Sequence, residues 1–121
     1  EKLRPDIQSY IRLLNLVIHY ELGNYSVMKY AADRAYRFLK KKKLLHTTER
    51  IILRLFQQLA KREGGMDIRE TNALFRKYKN ELTEIFQDPH ERSGLEYFDV
   101  LTWLEMKLRG ISFQEARTLR M

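Results

Sequence analysis

The sequence has no cysteine, no long apolar run and no strand-like alternation of apolar and polar residues. Without cysteine there is no disulfide framework and no thiolate metal site, which suits a reducing compartment. No apolar run approaches the length that spans a bilayer, and the opening residues EKLRPD do not resemble a signal peptide. We therefore predict a cytoplasmic protein that does not bind membranes. Because the chain starts at Glu1 rather than Met, we expect it to be part of a longer polypeptide.

The residue patterns of common catalytic and metal sites are also missing. There is no cysteine nucleophile, no Gly-x-Ser-x-Gly elbow and no glycine-rich loop to hold a phosphate. His19, His46 and His90 lie far apart, without the histidine or carboxylate spacing of a zinc site. We predict surface histidines, no metal and no cofactor.

Glu21 is the acidic residue that most resembles a catalytic group, because it falls within the apolar arc of a predicted helix. A carboxylate buried there would have a raised pKa and could act as a general base. The favoured interpretation is that Glu21 reaches water or pairs with Arg34 or Arg37 of the next helix. On this pattern we predict that the protein is not an enzyme.

The first predicted helix, about Asp6 to Leu22, is apolar over more than half of its circumference. Pro5 fits just ahead of its start, and Asp6 can cap the first turn. One apolar face is formed by Ile7, Ile11, Leu14, Val17, Ile18 and Leu22. A second set widens it: Tyr10, Leu13, Leu16 and Tyr20. One neighbouring helix cannot cover so broad an arc, so we expect a central rod with neighbours on both sides.

The second predicted helix, about Tyr25 to Lys42, follows a tight turn. Gly23 and Asn24 tolerate the positive φ at which helices commonly end. The apolar face of this helix consists of Val27, Met28, Ala31, Ala32, Ala35, Phe38 and Leu39. So short a turn forces the two helices to lie antiparallel.

Helical spacing and capping signals predict four further helices. The third starts at Thr47-Thr48 and runs to about Arg62, the fourth starts at Asp67, the fifth covers about Leu95 to Leu108, and the sixth follows Ser112. Capping-box spacing joins Asp67 to Glu70 and Ser112 to Glu115. Asp88-Pro89 and Gly110 break the helical pattern. We predict one all-α domain over residues 1–121, with about six helices arranged as three stacked antiparallel hairpins.

Part of the sequence resembles a tetratricopeptide repeat. ELGNY at 21–25 is similar to the turn between the two helices of such a repeat, and Ala32 and Ala35 match its small side chains. Two positions depart from the pattern, since Asn15-Leu16 replaces the usual Leu-Gly pair and Lys40 replaces the closing proline. The set HYELGN, YRFL, ERIIL, EYFD and WLEMK also resembles the C-terminal helical region of large, uncharacterised bacterial proteins with tetratricopeptide-like arrays. The resemblance implies an α-solenoid fragment near the C-terminus of a longer chain, without catalytic residues.

The net charge of +7 is concentrated at the start of the chain. Residues 1–43 hold ten Lys and Arg against four Asp and Glu, whereas residues 89–121 hold five of each. The candidate partner-binding residues lie on the second helix and at its end: Tyr30, Arg34, Arg37, Lys40, Lys41, Lys42 and Lys43. Tyrosine and arginine together on an exposed face are typical of interface hot spots. The favoured explanation of four lysines at a helix C-terminus is that they solvate the helix end and interact favourably with the helix dipole.

These observations favour a non-enzymatic protein–protein interaction or scaffold module of the helical-repeat type. Its partner would be another protein or upstream repeats of the same polypeptide. The alternative is a module that uses the basic stretch at 34–43 to bind nucleic acid or another acidic surface, with strong salt dependence.

Overall fold

The computed structural model describes residues 4–61, 67–89 and 99–120. Within these ranges the chain forms six helices and no strand: α1 (Pro5–Glu21), α2 (Tyr25–Lys41), α3 (Thr47–Lys61), α4 (Ile68–Ile85), α5 (Val100–Arg109) and α6 (Phe113–Arg120). The prediction of an all-α fold is therefore confirmed. The predicted end of the third helix near Arg62, the start of the fifth near Leu95 and the residue His90 lie outside the described residues.

The chain divides into two compact units, Glu1–Met66 and Asp67–Met121. In the first unit α2 packs against both α1 and α3, and in the second α5 packs against both α4 and α6. Because α3 belongs to one unit and α4 to the other, their pairing as a hairpin stays a prediction. The same holds for the single domain and for the tetratricopeptide-like stack.

The turn between α1 and α2 has the predicted helix-ending geometry. Gly23 has a φ of 75°, in the left-handed region that favours glycine. The Asn24 N–H donates to the His19 carbonyl at 2.9 Å, and the Gly23 N–H donates to the Tyr20 carbonyl at 3.0 Å. These two bonds satisfy carbonyls that the end of α1 would otherwise leave without partners.

The start of α1 differs slightly from the prediction. The helix begins at Pro5 rather than Asp6, with Arg4 preceding it in an extended conformation. Proline suits the first helical position, since its fixed φ is helical and its missing N–H would have no partner there. The cap predicted for the Asp6 side chain lies outside the described side chains.

The lysine run at 40–43 ends α2 with the same arrangement, but without glycine. Lys43 has a φ of 59°, a left-handed conformation that is energetically unfavourable for any residue other than glycine. The Leu44 N–H donates to the Leu39 carbonyl at 2.8 Å, and the Lys43 N–H donates to the Lys40 carbonyl at 3.2 Å. Lys43 therefore occupies the position that glycine normally takes after a helix.

Replacing Lys43 by glycine should raise the free energy of unfolding by roughly 0.5 to 1 kcal/mol, since glycine relieves the left-handed strain. Urea denaturation of both proteins measures the change. Lys42→Gly is the matched control, because Lys42 has a φ of −85° and loses the same charge without relief of strain. Equal effects at the two positions would contradict the strain at Lys43.

The prediction that α1 is a central rod is wrong. Its buried apolar residues are Leu13, Leu16 and Val17, whereas Ile11, Ile18 and Leu22 are exposed. In the first unit α2 packs extensively against both α1 and α3, whereas α1 packs mainly against α2 and makes only a small contact with α3. The buried face of α2 contains three alanines, which let the neighbouring backbones approach closely. As a result α1 buries only one of its two apolar faces.

The second unit has the predicted caps and an aromatic core. Asp67 accepts a hydrogen bond from the Glu70 N–H at 2.8 Å at the start of α4, and Ser112 Oγ accepts one from the Glu115 N–H at 3.1 Å at the start of α6. In the core, the rings of Phe75 and Trp103 meet edge to face with centroids 5.7 Å apart. This contact joins α4 to α5.

Tyr20 lies half-buried at the α1–α2 turn, with its ring centroid 5.8 Å from that of Tyr25. Burial, with further contributions from Tyr25 and Glu21, raises the pKa of Tyr20 from 10.0 to about 12. A raised folded-state pKa gives stability that is fully present below the unfolded-state value. Tyr20 therefore contributes stability up to about pH 10 and loses it as the pH rises towards 12.

Spectrophotometric titration should show this late ionisation directly. The folded protein is expected to have a tyrosinate step near pH 12 that disappears in Tyr20→Phe. Tyr30→Phe, which removes an exposed phenol hydroxyl from α2, should leave the late step in place. A late step that survives Tyr20→Phe would assign it to another tyrosine.

Candidate functional site

A strip of exposed apolar side chains runs along α1. Ile11, Ile18 and Leu22 have 48%, 46% and 67% of their surface exposed. They are separated by seven and four residues, so they lie on one side of the helix, opposite the buried Leu13 and Leu16. Branched aliphatic side chains form no hydrogen bonds with water, and a row of them on one exposed face is typical of an interaction surface.

Beside this strip lies an open groove of about 600 Å³ between α1 and the C-terminal part of α2. Its apolar lining is provided by Ile11, Leu14 and Ile18 of α1 and Phe38 of α2. The antiparallel hairpin creates the groove, because it places the end of α2 next to the beginning of α1. The remaining exposed apolar residue of the strip, Leu22, extends the surface towards the turn.

The charged side chains that line the groove are both basic. The Arg12 guanidinium carbon lies 3.6 Å from the centroid of the Phe38 ring, close enough for a cation–π interaction. Lys42 also lines the groove and is exposed. Among the described side chains that line this groove, none is a carboxylate. The site can therefore take an apolar surface with negative charge beside it.

The predicted partner-binding residues are all exposed, but they do not form one site. Tyr30, with 67% of its surface exposed, lies in line with Arg34, Arg37 and Lys41 on the outer side of α2. We call these four residues the basic strip. Lys42 instead lines the groove, Lys43 follows the helix end, and Lys40 lies with its Nζ 5.9 Å from the ring centroid of Tyr36.

Glu21 does not have the environment that the general-base hypothesis requires. Its side chain is exposed rather than enclosed by the apolar residues of α1. Of the histidines, His46 is exposed as predicted. His19 is half-buried, although the sequence pattern placed it on the polar side of α1. In the part of the chain that the structure describes, no three potential ligands gather into a metal site. No helix in that part is long and apolar enough to cross a bilayer.

Sequence reasoning missed a buried carboxylate, Glu105, in the second unit. Only 5% of its surface is exposed, and it forms ion pairs with Lys79 of α4 and Arg109 of α5. Hydrogen bonds from Lys79 and Arg109 lower the pKa of the Glu105 carboxyl below its ordinary value. Since each carboxylate oxygen is held by a different cation, the arrangement joins two helices and leaves no oxygen poised for proton transfer.

The groove was also missed, although its signal is present in the sequence. Ile7, Ile11, Leu14, Ile18 and Leu22 follow one another at spacings of four, three, four and four residues. This spacing marks a helix-packing face of its own, separate from the face of Leu13 and Leu16. In the sequence pattern alone, these two faces merge into one broad apolar arc.

No family model, curated protein or solved structure matches the chain. The resemblance to tetratricopeptide-like proteins therefore stays a prediction.

Proposed function

We propose that this protein is a non-enzymatic helical module that binds a partner protein in the groove between α1 and α2. The observation that carries the proposal is the exposed apolar strip of Ile11, Ile18 and Leu22 on a helix whose opposite face is already buried. A partner that covers these side chains would gain roughly 25 cal/mol of binding free energy for each Å² of apolar surface removed from water. A groove beside a helix is a common way to hold a protein segment.

A second candidate function is the binding of nucleic acid or another acidic surface by the basic stretch at 34–43, which contains most of the basic strip. What supports it is the exposure of Tyr30, Arg34, Arg37 and Lys41 along one line of α2. Such binding would weaken steeply with salt, because phosphate contacts release counterions. It would also be lost when Lys40 to Lys43 are changed to glutamine.

Site-specific photo-crosslinking separates the two proposals. A photoreactive amino acid is placed at Ile18 in the groove, at Arg37 in the basic strip, or at Ile68, an exposed position on α4 that serves as the control. For the protein-binding function, irradiation in the cells of origin should give a discrete protein adduct from Ile18 that is absent from Ile68. The adduct should be lost when Ile11→Ser is added.

The other outcomes of the same experiment are equally informative. A nucleic-acid adduct from Arg37, with none from Ile18, would support the second candidate instead. If Ile18 and Ile68 give the same products, the groove has no specific partner and the protein-binding proposal is refuted.

A further inference from the structure

We infer that the segment bound in the groove is an amphipathic helix with acidic residues beside its apolar face. This inference rests on the proposed function, and it specifies the chemistry of the partner. It follows from three properties of the first unit: the spacing of the apolar side chains on α1, the sign of the charges that line the groove, and the all-helical backbone around it.

The spacing of the apolar side chains on the exposed side of α1 suits packing against a second helix. Side chains at alternating intervals of four and three residues form the seam by which two helices pack at a shallow angle. From Ile11 to Leu22 the seam covers about 16 Å, or about three helical turns. A bound helix of that length can place its own i, i+3/i+4 and i+7 side chains between Ile11, Leu14 and Ile18.

The backbone around the groove excludes strand addition. In the first unit the groove walls are α1 and α2, whose backbone hydrogen bonds are satisfied within each helix except at the ends. An extended peptide that pairs through its main chain needs an open sheet edge, which these two helices do not offer. A helical segment suits these walls, because its backbone hydrogen bonds are satisfied within the helix and need no sheet edge.

The charges favour an acidic helix over a second copy of this chain. Arg12 and Lys42 line the groove, and the basic strip lies on the outer side of the same helix as Lys42. Two copies packed groove to groove would bring like charges together. Carboxylates flanking the apolar face of a partner would instead meet these cations, which sets specificity and orientation more than affinity.

The test is a selection from random peptides of about 14 residues displayed on phage, long enough for three helical turns. The full chain is the bait, and the variant Ile11→Ser/Ile18→Ser is used to remove peptides that bind elsewhere. The enriched peptides should have apolar residues at helical spacing and Asp or Glu beside them. Groove-dependent peptides without acidic residues would overturn this inference while leaving the proposed function standing. If no peptide depends on the groove, both are overturned.

Fluorescence anisotropy with one enriched peptide then tests the individual contacts. Ile18→Ser should weaken binding about ten-fold or more, as expected for an anchor residue, whereas Ile68→Ser should have no effect. Lys42→Gln should weaken it roughly two- to five-fold through the loss of one exposed ion pair, compared with Lys61→Gln at the end of α3. Circular dichroism confirms that each variant is folded. Equal effects of Lys42→Gln and Lys61→Gln would refute the charge contact.

Sedimentation velocity tests the competing occupant. The chain alone is expected to remain monomeric over the concentrations used for binding. A concentration-dependent dimer that is abolished by Ile18→Ser would mean that a second copy fills the groove, and it would overturn the inference.

Discussion

Replacing Leu16 by alanine is expected to lower the free energy of unfolding by about 3 kcal/mol. Leu16 is completely buried, so its truncation leaves a cavity as well as removing apolar contacts. Ile18→Ala, two residues further along α1, should change stability by less than about 1 kcal/mol, because nearly half of its side chain is already in water. Urea denaturation followed by the helical circular dichroism signal measures both variants.

The comparison matters because the two residues lie on opposite faces of one helix. Their local backbone is the same, so a difference in stability reports burial rather than helix propensity. Comparable losses at Leu16 and Ile18 would mean that both faces of α1 are covered in the folded protein, and the groove would then not be open. A large loss at Leu16 alone, together with weakened peptide binding by Ile18→Ser, separates the stabilising face from the binding face.

Replacing Glu105 by glutamine is expected to lower the free energy of unfolding by about 2 kcal/mol at neutral pH. The buried carboxylate accepts charged hydrogen bonds from Lys79 and Arg109, one at each oxygen. A neutral amide can accept only one of them, and more weakly, because its nitrogen is a donor. Glu84→Gln, at an exposed position on α4, is the control and should stay within about 0.5 kcal/mol of the original protein. Losses of equal size at Glu105 and Glu84 would contradict a stabilising role for the buried pairs.

The effect of Glu105→Gln should also depend on pH in a defined direction. The folded-state pKa of Glu105 is lowered from its ordinary value of 4.5, so its contribution is fully present above that value and disappears as the pH falls through the folded-state pKa. The stability difference between the original protein and Glu105→Gln is therefore expected to narrow below about pH 4.5. A difference that stays constant down to acid pH would mean that charge is not its source.

The local features of the chain could be predicted because each is encoded in a few neighbouring residues. Gly23 ends α1 with a positive φ, and Ser112 with Glu115 starts α6 as a capping box. Neither feature requires knowledge of what packs nearby, since the backbone groups involved lie within one helical turn. The exposure of Tyr30 also followed from its position opposite the alanine face of α2.

The tertiary features could not be predicted in this way. Helical periodicity shows that α1 is apolar on two sides, but it does not show which side is buried. The buried side is determined by α2, which packs against both α1 and α3 and leaves Ile11 and Ile18 exposed. Likewise, nothing in the sequence distinguishes Glu105 from the other acidic residues, because its ion pair with Lys79 depends on the packing of α4 against α5.

The sequence alone thus determined the all-α class, the caps at Gly23, Asp67 and Ser112 and the concentration of positive charge near the start of the chain. These depend on hydrogen bonds and side-chain charges that act over a few residues. Only the tertiary structure decided which apolar face of α1 is available and which carboxylate is buried. Both outcomes depend on contacts between residues far apart in the chain, because burial is a property of the neighbours that cover a side chain.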